Sequence, residues 1–243
     1  MPSTTPLLQT TAASIRALFE PAFQQLLEQS SDSDKSELAE TGQAMLQALL
    51  VIDRTAQIED TLNENEVNQI RDFLFSLLTR LINQASNMRL TEAESSFQQL
   101  YIPFSLWIAE QQGILIELEP VVDAFANFAN HPHDTDTLSE LSTAIGKILV
   151  AVPAQIKEDR IDRSNPGRPW RILNLNRGII ATRSHDPEIM HQAYSDLVKN
   201  IPDDARQFFN EGRKQMEMVE YPDHVKEIMQ QYNDLWGNEN ALH

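Results

Sequence analysis

Val225, Ile228, Met229, Tyr232, Leu235 and Trp236 fall at offsets of 0, 3, 4, 7, 10 and 11 residues, a single stripe down one side of an α-helix. No strand has that period. Ala205, Phe208, Phe209, Met216 and Val219 repeat the pattern just upstream. Pro187, Pro202 and Pro222 sit where a first helical turn tolerates a missing N–H. Asp186 is placed to cap the helix that Pro187 opens, and Gly237 to stop the last one after Trp236.

The first half reads as longer helices. Ser33 and Asp34 start one through Ile52, Asn63 another through Ile82, and Thr91 a third that Gly113 ends. In the second of these, Phe73-Leu74-Phe75 and Leu77-Leu78 are apolar round most of the helix, which places it at the centre of a bundle. Pro21 and Pro103 predict a kink or a break in their runs. A shorter helix is expected from Pro120, and another after the Asp134–Thr137 cluster, ending near Val152-Pro153.

One stretch departs from this rhythm. Asn165-Pro166-Gly167 is a turn signal, and Pro169 blocks any helix running up to it. Beyond it, Arg171–Leu175 and Ile179–Arg183 read as a hairpin about Asn176-Arg177-Gly178, or as one amphipathic helix with Ile172, Leu175, Ile179 and Ile180 inward. The helical surroundings tip the balance to the helix, because an isolated hairpin is marginal. The expected fold is all-α: a bundle of about eight or nine helices with an irregular, arginine-rich connecting segment. Residues 10–152 form a long-helix bundle, 153–170 a basic linker and 171–237 a shorter helical part, the two helical parts being separate or sharing one core.

Several classes of function are excluded. The chain has 243 residues and no cysteine, so it has no disulfide framework, thiolate metal site or cysteine nucleophile. Of its 7 glycines the closest pair, Gly167 and Gly178, is too widely spaced for a phosphate-cradling loop or a serine-nucleophile elbow. Residues 1–11 lack the basic and apolar regions of a secretory signal, and Ala48–Ile52 and Ile148–Pro153 are far too short to span a bilayer. The expectation is a soluble, cytoplasmic protein with no membrane partner and no cofactor.

Charge is unevenly spread. The net charge is −17, which argues against nucleic acid as a partner. Residues 1–150 carry 7 basic and 21 acidic residues, and residues 184–243 carry 5 and 12. Between them, residues 157–183 hold seven basic residues (Lys157, Arg160, Arg163, Arg168, Arg171, Arg177 and Arg183) against three acidic ones, a net +4. Trp170 stands among the arginines. Planar guanidinium forks beside an aromatic suit a carboxylate or phosphate, so Arg163, Arg168, Trp170, Arg171, Arg177 and Arg183 are the candidate ligand- or partner-binding set. The competing account is internal: a positive linker neutralises the acidic bodies on either side and pins them.

Six histidines offer the remaining chemistry. His131 and His133 lie beside Asp134 and Asp136, a group able to take a divalent ion or, more simply, to cap the next helix. Glu188 and His191 share a helix face at i, i+3, half of a di-iron carboxylate ligand set, but no second Glu-x-x-His follows. No metal is expected. The first functional expectation is an interaction or adaptor module whose basic segment docks an acidic protein or a small anion. The alternative is an enzyme holding an anionic substrate on Arg168, Arg171 and Arg177, with His185 or His191 as general base.

Overall fold

The computed structural model describes residues 5–57, 62–158 and 165–237. It is all-α, with no strand among the described residues and no helix long and apolar enough to cross a membrane. After a 3-10 turn at Pro6–Leu8 come α1 (Ala12–Gln29), α2 (Asp32–Gln57), α3 (Glu64–Asn87), α4 (Thr91–Gln99), α5 (Tyr101–Glu110) and α6 (Glu119–Ala129). There follow α7 (Thr135–Ala151), the single turn α8 (Ala154–Lys157), α9 (Pro169–Ser184), α10 (Pro187–Asn200), α11 (Pro202–Met218) and α12 (Asp223–Trp236).

Among the described residues twelve α-helices, one of them the single turn α8, thus stand where eight or nine were expected. Part of the excess comes from the run begun by Thr91, which divides at Leu100 into α4 and α5. Pro103 falls in the first turn of α5, where no intrahelical N–H is required, so the break turns a helix-breaking residue into a helix-starting one. Pro21 acts differently. It lies inside α1, which runs on through it unbroken. Ile15, Phe19, Phe23 and Leu26 of that helix are all buried, and packing on both sides of the proline outweighs a local cost of about 3 kcal/mol.

The chain divides into two compact units, residues 1–128 with 150–153, and residues 129–149 with 154–243. In the first, α1 packs on α2 and α4, and α3 on α2, α4 and α5. The helix expected at its centre is not the most enclosed one. α3 leaves Phe73 46 % exposed, whereas every residue of α5 from Tyr101 to Ile108 is buried. The α3 start is a capping box: the Asn63 side chain accepts from the Glu66 amide, and the Glu66 carboxylate accepts from the Asn63 amide.

In the second unit α10 is the shared element, packing on α9, α11 and α12. Its Tyr194 is fully buried, with ring centroids 5.8 Å from Phe208, 5.2 Å from Phe209 and 5.1 Å from Tyr232, all edge-on. Thr182 spends its hydroxyl proton on the Gly178 carbonyl, so the Tyr194 hydroxyl, 2.6 Å from Thr182 Oγ1, is the donor between them. Burial pushes this phenol well above the ordinary tyrosine range.

The ambiguous segment is the helix α9, but its inward face is not the expected one. Of Ile172, Leu175, Ile179 and Ile180 only Ile180 is buried, and Ile179 is 49 % exposed. The buried side carries Trp170, Leu173, Asn174, Arg177, Gly178 and Ala181. Apolar spacing misplaced the face because polar groups occupy it, each with internal partners. Asn174, for example, donates to the Trp170 carbonyl and accepts from Asn200.

Candidate functional site

The turn before α9 sets the geometry of the basic segment. The Gly167 amide donates to Asn165 Oδ1 at 2.9 Å and the Arg168 amide to the Asn165 carbonyl at 3.2 Å, after which Pro169 opens the helix. Arg168, only 6 % exposed, is thereby held against α8. Its Nη2 donates to the carbonyls of Ile156 and Lys157 at 2.6 and 2.7 Å. Both carbonyls lie at the C-terminal end of α8, where a guanidinium suits the outward-facing oxygens.

One helical turn on, Arg171 donates from Nε to Asp204 Oδ1 at 2.7 Å and from Nη1 to the Pro166 carbonyl at 2.9 Å. The first contact ties α9 to the acidic first turn of α11. Around these two arginines lies a cleft of about 550 Å³. Lys157, Arg168, Arg171 and Lys199 are its basic lining residues, and Glu158, Asp203 and Asp204 its acidic ones. The Lys157 ammonium sits 5.5 Å from the centroid of the Trp170 ring. Burial holds its pKa below the usual lysine value, and the nearby charge of Lys199 lowers it further.

The remaining arginines lie elsewhere. Arg177 is 4 % exposed, with Nε donating to the Ser142 carbonyl at 3.1 Å and Nη1 to Asp196. Arg183 donates to the Ala129 carbonyl at 2.8 Å. Arg160 and Arg163 lie outside the described residues. Trp170 is enclosed at 2 % exposure, its indole N–H lacking a hydrogen-bond partner among the described residues. Internal pairing therefore accounts for much of the described arginine cluster, and of the five described candidate residues Arg168 and Arg171 line the cleft.

Among the described residues no histidine lines this cleft. His185 ends α9 in the left-handed conformation, φ 57°, and its ring stands edge-on to Tyr221 at 5.6 Å. Its carbonyl accepts from His224 Nε2 at 2.9 Å. Burial, and then the neighbouring His224, hold its pKa below the ordinary histidine value. His191 is exposed beside Tyr232, with ring centroids 5.8 Å apart. Glu188, also exposed, lies in the first turn of α10, where Asp186 caps the Glu188 and Ile189 amides.

His131 and His133 precede Asp134, whose carboxylate takes the Thr137 amide at 2.8 Å and hydroxyl at 3.1 Å. The Thr137 bonds hold that carboxyl below the usual aspartate value. Among the described residues no three His, Asp or Glu side chains gather as a metal site would require. The structure thus brings neither His185 nor His191 to the arginines, and does not assemble Glu188 and His191 with further ligands.

Lys199 is the cleft residue that the sequence reading missed. It stands 42 positions from Lys157, in the last turn of α10, and only the packing of α9 against α10 brings the two residues to one opening. Compared with protein-family models, curated proteins and solved structures, the chain matches none.

Proposed function

We propose that this chain is a non-catalytic cytoplasmic interaction module, and that the cleft between α8, α9 and the α10–α11 connection takes an acidic segment of a partner protein. The observation that carries this reading is the pairing of Lys157 with Lys199 at one opening in a chain of net charge −17. Burial, and then the charge of Lys199, make Lys157 costly to keep charged, and an anion placed beside the two offsets that cost. Arg168 and Arg171 serve a different purpose in this reading: committed to carbonyls and to Asp204, they hold the cleft walls in place. Asp204 is held by Arg171, and the carboxylate of Asp203 disfavours an anion placed next to it.

The test is calorimetric titration of the whole protein with hexaglutamate and, separately, with inorganic phosphate. Saturable binding of the peptide that weakens with added salt is expected. Replacing Lys157 and Lys199 together by methionine should abolish it while leaving the helical circular dichroism unchanged. Binding that survives the double substitution, or a peptide that does not bind, refutes the reading. Phosphate binding alone would replace the acidic peptide with a free anion.

A further inference from the structure

The first unit has a cavity of its own, of opposite electrical character. One face of α3 supplies Thr79, Ile82 and Asn83, spaced i, i+3, i+4, and one face of α6 supplies Pro120, Asp123, Ala124 and Asn127, spaced i, i+3, i+4, i+7. Tyr101, at the start of α5, and Gln98, near the end of α4, close the end. The space, open to solvent on one side, is about 320 Å³, at the small end of ligand-binding pockets, and suits a body of about ten non-hydrogen atoms.

Three polar groups of this cavity, on Tyr101, Gln98 and Asp123, offer acceptors, beside the Asn83 and Asn127 amides, which carry both donors and acceptors. Thr79 Oγ1 donates its one proton to the Phe75 carbonyl at 2.9 Å. At 3.3 Å from that oxygen, Tyr101 is therefore the donor, and its phenolic oxygen is left with lone pairs only. Gln98 turns its amide nitrogen toward Glu94 at 3.5 Å, which leaves its carbonyl oxygen uncommitted. Asp123 is exposed at the rim and makes no ion pair or hydrogen bond among the described residues. Among the described residues no lysine, arginine or histidine lines the space, while Ile82, Pro120, Ala124 and Ala126 supply its apolar lining.

The field agrees with the wall. Residues 1–128 carry 18 acidic and 6 basic residues, a net −12. Glu117 adds to the negative potential felt at the Tyr101 hydroxyl, whose pKa is raised chiefly by burial. An anion is repelled here, and a neutral donor gains only hydrogen bonds. A cationic donor gains both those bonds and the potential.

We propose that this cavity binds a small organic ammonium: a primary amine on a compact apolar body, the N–H groups reaching Asp123 and the Tyr101 oxygen and the apolar part lying on Ile82, Pro120 and Ala124. The site is independent of the lysine cleft, lying in the other unit and selecting the opposite charge.

Phenethylammonium is the probe, titrated into the whole protein by calorimetry and by ligand-observed NMR, with phenethyl alcohol and phenylacetate as its neutral and anionic counterparts. Saturable binding of the ammonium is expected, with the alcohol weaker by about tenfold or more and the carboxylate unbound. Asp123→Asn, a change at an exposed position, should weaken the ammonium by about tenfold without altering the circular dichroism, and should leave the alcohol unaffected. Tyr101→Phe should weaken the ammonium as well. Three results would overturn the proposal: no saturation at about 10 mM ammonium, equal binding of ammonium and alcohol, or an Asp123→Asn variant that binds as wild type.

Discussion

Arg177 of α9, 4 % exposed, is paired with Asp196 of α10, whose side chain is 44 % exposed, and the same guanidinium donates to the Ser142 carbonyl of α7. One buried cation thereby joins three helices of the second unit. Arg177→Ala removes the guanidinium with its bond to the Ser142 carbonyl and leaves a hole beside Gly146. Breaking a fully buried pair costs about 3–5 kcal/mol, but water reaches Asp196, so a loss of about 2–3 kcal/mol is expected. Asp196→Asn should cost less, about 1 kcal/mol, because the amide oxygen still accepts. Urea unfolding followed by circular dichroism measures both, and equal losses for the two variants would contradict the assignment of the burial cost to the arginine.

The same guanidinium constrains a glycine. A Cβ on Gly146 would stand 2.8 Å from Arg177 Nη2 and 3.0 Å from its Cζ. Gly→Ala inside a helix ordinarily stabilises by about 0.5–1 kcal/mol. At Gly146 the sign should reverse, with a loss of about 1–3 kcal/mol, because the methyl displaces a group fixed by two hydrogen bonds. In an Arg177→Ala background the obstruction is gone, and Gly146→Ala should then stabilise. The double-mutant cycle in urea reads this change of sign directly.

Arg177 also shows where the sequence stopped being informative. Its place in a basic run made it look like a surface ligand, yet it faces inward, because a guanidinium with carbonyl and carboxylate partners can be buried as readily as an isoleucine on the same helix. Helix positions were legible, since Pro187, Pro202, Asp186 and Asn63 act locally and their effects need no knowledge of neighbours. The inward face of α9 was not legible, because it depends on Asp196 and Ser142, 19 and 35 residues away. The cleft was half legible for the same reason: Lys157, Arg168 and Arg171 are close in sequence, whereas Lys199 and Asp204 arrive by packing. The cavity of the first unit had no sequence signature. Its residues are ordinary helical ones, and only the convergence of α3 and α6 gives them a common space.

Asp186 offers a test of a purely local element. Its carboxylate accepts from the amides of Glu188 and Ile189 at 2.9 and 3.1 Å, at the start of the helix on which the second unit is built. Asp186→Ala should lower stability by about 1 kcal/mol, and Asp186→Ser should recover most of it. Thermal melts resolve a change of this size, and a serine variant no better than alanine would show that the charge rather than the cap carries the effect.

His185 gives the second unit a pH dependence whose sign follows from its surroundings. Burial and then His224 hold its folded-state pKa below the ordinary 6.5. The unfolded chain takes up a proton near 6.5, while the folded chain resists until a lower pH. Between those values the unfolded state binds more protons, so stability falls as pH drops through that window and is unaffected above it. His185→Asn keeps a residue tolerant of the left-handed backbone at φ 57° and removes the titration. The variant should therefore lose less stability than wild type on going from about pH 7.5 to about pH 5.5, with the two matching most closely at the higher value. Urea midpoints at the two pH values decide it; parallel losses in both proteins would place the sensitivity elsewhere.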